Sequence, residues 1–372
     1  MNLNSNSQSK ILFFFSIIIS IFYIFFTNSF FNFDQSLVYG AADGATYMEI
    51  TKNFPNITEN GLAYSHNQRF LIPYLMGFIN SFLNLEFFLV YRYSASVLFF
   101  LILYFFYKNL SILKTSYLEK YFALSLIIFN PYLLRYYISL PTLINDLVFI
   151  LSTQLIIYSF LSSNRLFSHL GLYLSFFARQ TGIFLLITFL FQRIYFKDKS
   201  LINFKDIFIF ISIFISIFLL NDYYADIASG GKAFFSEHSG DVYGLLIFFY
   251  YNFDLNKLLY FLSFPFLNWT PVIIFCLLRR FKLNERYREI SSFIIVSSVL
   301  IFLQPIFAGP DVVLKNLIRL TNLAYPMVIL YIFSNSSFRI LNKKIAILLS
   351  IPFFLFWSSH PTYSIFDFLN FN

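Results

Sequence analysis

Charge is scarce in this 372-residue chain. Only 12% of its residues are Asp, Glu, Lys or Arg, about half the ~25% of an ordinary soluble domain. That excludes a conventional soluble fold as the body of the protein. Cysteine is almost missing: Cys276 stands alone in an apolar run, so no intrachain disulfide can form. The chain has no Gly-rich P-loop and no Asp-x-Asp pair, the usual sequence signs of a nucleotide or nucleotide-sugar site. It has no internal repeat of the kind that underlies inverted-repeat transporters. No small-x-small cleavage site follows the apolar run 11–31, which therefore reads as a retained anchor, not a signal peptide.

What the chain has instead is hydrocarbon. Fifty-eight per cent of residues are hydrophobic, and the mean hydropathy is +0.69. Apolar runs near spanning length recur at 11–31, 87–107, 121–138, 147–163, 166–178, 180–193, 207–221, 259–278, 290–307, 320–334 and 345–357. The expectation is an all-α polytopic membrane protein with about eleven transmembrane helices. It forms a single integral membrane domain, 1–372, with a first external loop at 32–86 and no separate soluble domain. The abundance of Phe (56) and Tyr (27) is read as compositional bias of an A/T-rich genome, not as an aromatic binding device.

The net charge of +8 does not mark a nucleic-acid partner, because most of the basic residues gather in particular loops. Lys108, Lys114 and Lys120 fall in one, Arg193, Lys197, Lys199 and Lys205 in another. Arg279, Arg280, Lys282, Arg286 and Arg288 fall in a third, and Arg339, Lys343 and Lys344 in a fourth. The positive-inside rule puts these loops and Lys10 in the cytoplasm and the 32–86 loop outside. Two consequences follow from this parity. Residues 166–193 must be two short helices broken near Arg179-Gln180, or the basic loop after them would be carried outside. Residues 70–83 cannot be a full span and read as a helix lying at the external interface.

The external loop holds polar residues where a membrane protein has few reasons to keep them. It reads Ala-Ala-Asp43-Gly-Ala-Thr-Tyr47-Met-Glu49-Ile and later Gln68-Arg69-Phe-Leu-Ile-Pro73-Tyr. Ionisable groups at a bilayer are costly, so their clustering is a functional-site signal. The spacing Asp-x-x-x-Tyr-x-x-Ile followed by Arg-x-x-x-Pro resembles the first external loop of the GT-C superfamily, multi-span glycosyltransferases that use polyprenyl-phosphate sugars. Three further stretches look like that family. Asn145-Asp146 opens a helix, Arg179-Gln180-Thr181-Gly182 lies between two short helices, and Arg319 precedes Pro326 in a late span.

The resemblance implies that Asp43 is the general base, with Glu49 a secondary candidate. It implies Arg69, Arg179 and Arg319 as phosphate contacts, with Tyr47 and Asp146 also in the substrate site. Each residue has a plainer reading. Asp43 suits a helix N-cap, and Tyr47, one turn later on the same face, suits an interfacial belt. Arg69 suits a snorkelling anchor, and Arg319 an anchor at a helix end. Asp146 suits an N-cap, with Arg135 as an ion-pair partner. Arg179 needs a partner at its depth, either Asp146 or a lipid phosphate. Asp222, Asp226, Glu237, His238 and Asp241 populate a later polar loop without firm metal-ligand spacing. Many GT-C chains carry Asp-Asp or Asp-Glu at the position of Asp43, and this chain does not, so no cofactor is implied with certainty and a divalent metal stays open.

The expectation is thus an inverting transferase in the inner (plasma) membrane, with a cytoplasmic N-terminus and an external, periplasmic-side active site. Its partners would be a polyprenyl-phosphate-linked sugar donor, a glycan, lipid or protein acceptor, and membrane lipids. The alternatives are a carrier or flippase for a polyprenyl-linked glycan, and a non-catalytic subunit of surface-polysaccharide assembly.

Overall fold

The computed structural model describes residues 18, 21, 42–58, 67–130, 133–196, 202–230, 269–274, 276, 279–281, 284–304 and 319–338. The expected span at 345–357, all but residues 18 and 21 of 11–31, most of 259–278 and most of the polar loop after residue 221 lie outside them. The described chain is predominantly helical. Its helices are α1 (Ala42–Asn53), α2 (Leu71–Leu83), α3 (Phe87–Ile112), α4 (Tyr117–Ile128), α5 (Leu134–Ser139) and α6 (Ile144–Ser162). They continue as α7 (Arg165–Ala178), α8 (Gly182–Phe196), α9 (Phe204–Ala228), α10 (Arg288–Leu303) and α11 (Tyr325–Ser334). A short antiparallel ladder joins β1 (Arg279–Phe281) to β2 (Ser336–Phe338).

Three segments among the described residues are long and apolar enough to cross a bilayer: Phe87–Ile112, Pro141–Ser162 and Phe204–Ala228. Their burial differs in a way that orders the bundle. In Pro141–Ser162, 89% of the apolar window is buried; in Phe204–Ala228 only 22% is. α6 is therefore the central post, and α9 lies at the periphery. The outward face of α9 carries Phe208, 72% exposed, with Ile209, Ile215, Leu219 and Tyr223. A helix that is apolar on its exposed face needs hydrocarbon, not water, around it.

α7 runs back along α6 at very close range. Its contact stripe is Ser168, Gly171 and Ser175, all turned inward. A Cβ on Gly171 would stand 2.6 Å from Ile156 Cγ1 and 2.8 Å from the Ser152 carbonyl. Small residues permit such backbone approach, the usual device for packing helices in lipid. The chain then breaks at Arg179–Thr181 and returns as α8. The expected pair of short helices is thus present, with the break where the charge parity placed it.

α2 has the form expected of 70–83. It has 13 residues, about 20 Å at 1.5 Å per residue, short of the ~30 Å hydrocarbon core. One face packs on α1: Gly77 is held against Phe54 and the Thr51 carbonyl. Thr51 ties three helices together. Its hydroxyl lies 2.9 Å from the carbonyl oxygens of Tyr47 and Pro73 and 2.7 Å from the Tyr91 hydroxyl of α3.

The ends of the bundle differ in character. At one end Gln192 donates to the Glu289 carbonyl at 2.6 Å, Arg288 donates to the Tyr195 hydroxyl at 3.0 Å, and Asn335 accepts from the Asn284 amide at 3.1 Å. With the β1–β2 ladder, these contacts gather three of the basic loops. At the far end of the same helices, Thr181 donates to Gln304 Oε1 at 3.1 Å. α8 and α10 are therefore antiparallel, and about 24 Å of α10 separates the basic end from this polar one.

The Gly171 contact yields a signed expectation. In an unconstrained helix Gly→Ala stabilises by roughly 0.5–1 kcal/mol. Here the methyl meets backbone on the facing helix, so Gly171→Ala should destabilise instead, by about 1–3 kcal/mol. Thermal unfolding of the detergent-solubilised protein reads the sign directly; a rise in Tm would show that α6 and α7 are not packed this closely.

Candidate functional site

The polar end is built around Asp146. It is the third residue of α6, after a 3-10 turn, Pro141–Leu143, that has no side-chain cap. The N-cap reading of Asp146 is thus replaced by a different role, because its carboxylate turns inward and is completely buried. Oδ1 accepts from Arg179 Nη1. Oδ2 accepts from Arg319 Nε and from the Tyr137 hydroxyl at 3.1 Å. Arg135, the nearer arginine in sequence, has its side chain outside the described ones; the partners that hold Asp146 are Arg179 and Arg319.

Each arm comes from a different element. Arg179 sits at the α7–α8 break, where the backbone is extended and its side chain is 2% exposed. A guanidinium stays protonated even when buried, which is why arginine suits a buried cationic site better than lysine. Arg319 stands ahead of α11, nearly buried. Tyr137 comes from the short helix α5, packed among α3, α4 and α6.

Arg69 joins from the external loop. Its Nε donates to Gln180 Oε1 at 3.3 Å, and its carbonyl accepts from Asn145 Nδ2 at 3.1 Å. Gln180 also donates to the Gln68 carbonyl at 3.0 Å. The motifs Gln68-Arg69, Asn145-Asp146 and Arg179-Gln180 thus meet at one place. Arg69 acts electrostatically on both Asp146 and Arg179. Three guanidiniums around one carboxylate leave the cluster net positive, which suits a further anion. Arg179 Nε, Thr142 Oγ1 and Asn145 Oδ1 are buried without a hydrogen-bond partner. Such buried polar atoms call for a ligand or water.

α1 lies beside the cluster. Tyr47 is completely buried, which removes the interfacial-belt reading, and it contributes to the electrostatics of Arg179. Asp43 lies in the first turn of α1, one turn before Tyr47; its side chain is outside the described ones. Glu49 lies elsewhere on the helix, half-buried, accepting from Asn53 Nδ2 at 3.2 Å. Among the described residues no group of three His, Cys, Asp or Glu could hold a metal ion.

The structure therefore brings together Arg69, Arg179, Arg319, Asp146 and the neighbouring Tyr47. Two participants were not singled out from sequence. Tyr137 sits in a Tyr-rich stretch with no motif to distinguish it. Gln180 was visible as part of a motif, but its partner lies 111 residues away. No family model matches this chain, and comparison with curated proteins and with solved structures finds no match.

The network predicts a graded response to truncation. Asp146→Asn leaves two guanidiniums buried without their carboxylate, a change that costs about 3–5 kcal/mol. Tyr137→Phe removes one hydrogen bond to a charged group and should cost only about 1.5–3 kcal/mol. Paired thermal melts in detergent check the order; equal losses would mean that Asp146 does not carry the ion pairs.

Proposed function

We propose that this protein is an inverting, GT-C-like membrane glycosyltransferase that moves a sugar from a polyprenyl-phosphate donor to a glycan, lipid or protein acceptor. The observation that carries the reading is the convergence of Arg69, Arg179 and Arg319 around Asp146, beside the helix that bears Asp43. The architecture proposed with it is polytopic, with about eleven spans.

In this reading the acceptor hydroxyl loses its proton to a base as its oxygen attacks the anomeric carbon. The bond from that carbon to the phosphate oxygen breaks on the opposite face, and the lipid phosphate leaves with the bonding pair. Guanidiniums stabilise the charge that grows on the departing phosphate, a contribution larger in the transition state than in the ground state. Asp146 is a poor choice of base because its oxygens are engaged by two arginines and a tyrosine. It positions the arginines instead. The base falls to Asp43, which the sequence pattern favours, with Glu49 as the second candidate.

The site is proposed to face the outside of the membrane. Support comes from the geometry of α8 and α10, which run from the cluster to an end where three basic loops meet; such loops are retained in the cytoplasm. Reporter fusions at Lys114, Asn203 and Asn284 should all report inside, and an outside signal at Asn203 would overturn this orientation.

Asp43→Asn tests the chemistry. Asn caps a helix about as well as Asp, so the variant should insert and accumulate normally. Loss of the base should reduce sugar transfer in membranes by roughly 100-fold or more. Normal transfer would shift the role to Glu49 or favour a carrier, which needs the guanidiniums but no base.

A further inference from the structure

We propose that the outer surface shared by α8 and α10, at the basic end of the bundle, binds one anionic phospholipid, with Arg288 and Tyr195 on its headgroup phosphate. The site lies at the other end of α10 from the arginine cluster and does not depend on what that cluster binds.

Side chains join the two helices at this end. Arg288 opens α10, and Tyr195 lies in the last turn of α8. Arg288 Nη2 donates to the Tyr195 hydroxyl at 3.0 Å, and the guanidinium carbon is 5.9 Å from the centre of the Tyr195 ring. Both residues face outward: the Arg288 side chain is 52% exposed, and Tyr195 is exposed too. A guanidinium carries five N–H donors, and a phenol both accepts and donates. Tyr195 takes one Arg288 donor and keeps its own O–H to give. Glu285 Oε2 stands 3.8 Å from Arg288 Nη1, with both side chains exposed. Such a pair contributes little, so a phosphate that accepts from both Arg288 and Tyr195 displaces it. Of the other acids at this end, Glu289 has its Oε1 buried, and Asp206 accepts from the Asn203 amide at 3.1 Å. Further cations flank the pair: Arg286 is exposed, and the Arg193 guanidinium lies 5.3 Å from the centre of the Phe204 ring.

Apolar surface runs away from this head along both helices. On α10, Ile295 and Val299 follow Arg288 by two and three turns on one face. On α8, Tyr195, Phe191 and Ile187 are one turn apart, and the rings of Phe191 and Tyr195 stack at 6.0 Å. All of these residues are exposed. The Arg288–Tyr195 contact sets the two stripes side by side at their charged end. From Arg288 to Val299 is about 16 Å at 1.5 Å per residue, close to one leaflet's half of the ~30 Å hydrocarbon core. That is the reach of a phospholipid acyl chain. A zwitterionic phospholipid would bring an ammonium group toward the arginines, so an anionic headgroup is favoured. A second copy of the chain in two-fold contact would set the same arginines against one another.

The test uses the full chain in detergent, native mass spectrometry, and phosphatidylglycerol and phosphatidylcholine with identical acyl chains. Phosphatidylglycerol should be retained about fivefold better, the scale that one basic residue contributes beside anionic lipid. Arg288→Gln should abolish that preference, and Arg288→Lys, which keeps the charge, should restore most of it. Tyr195→Phe should lower it part way. In proteoliposomes, phosphatidylglycerol with a diazirine on its acyl chain should label the tryptic peptide 289–315, and unlabelled phosphatidylglycerol should compete the label away.

Equal retention of the two lipids would mean that this surface meets only bulk lipid, and would overturn the proposal. A preference that survives Arg288→Gln, or competed labelling confined to other peptides, would overturn it as well. None of these outcomes touches the glycosyl-transfer reading, which is tested separately at Asp43.

Discussion

Everything at the polar end of this bundle is organised by the burial of one carboxylate. Asp146 sits at the start of the most enclosed helix, where an isolated charge costs many kcal/mol. It is tolerated because two guanidiniums and a phenol close on its two oxygens. That requirement reaches through the fold. α7 and α8 must break where Arg179 can turn inward, α11 must begin where Arg319 can reach across, and α5 must present Tyr137. A buried ion network of this kind is weak evidence for added stability, since apolar packing can do as well. It does restrict which arrangements of helices are allowed, because each alternative leaves a charge stranded.

The same helices give the molecule two unlike ends. Along α8 and α10 the polar cluster and the basic loops are separated by about 24 Å. The chain between is apolar and, on α9, turned outward. The helices that carry Arg179 and Arg288 therefore couple the placement of the site to the charge asymmetry of the loops. Arginines converge on a buried carboxylate at one end, and basic loops lie at the other. The proposed function needs such an arrangement, with guanidiniums to hold an anionic head and apolar surface beside them for a lipid tail.

Much of this could be read locally. The break at Arg179–Thr181 was legible because an arginine in a short apolar segment and a basic loop after it permit few topologies. The shape of α2 was legible from its length and its apolar periodicity. Asp146 was visible as an acidic residue opening an apolar helix, though its proximity to a helix start pointed equally to capping. Tyr47 looked like an interfacial tyrosine and is fully enclosed, because α2 and α3 fold over α1. Tyr137 was invisible, since a tyrosine among tyrosines carries no pattern.

The sequence by itself determined the predominance of long apolar runs, the helical periodicities, the gathering of most basic residues in certain loops, and the need for a partner at Arg179. These follow from transfer free energies and from chain parity, which depend only on the order of residues. Tertiary structure alone decided which partner each charge received. Arg179 and Arg319 lie 33 and 173 residues from Asp146, so their meeting depends on how α6, α7 and α11 pack. That packing was set by close contacts such as Gly171 against Ile156, which no local pattern encodes. Coulomb attraction between groups in a low-dielectric interior is strong enough to select one pairing, but only after the helices have brought the candidates within reach.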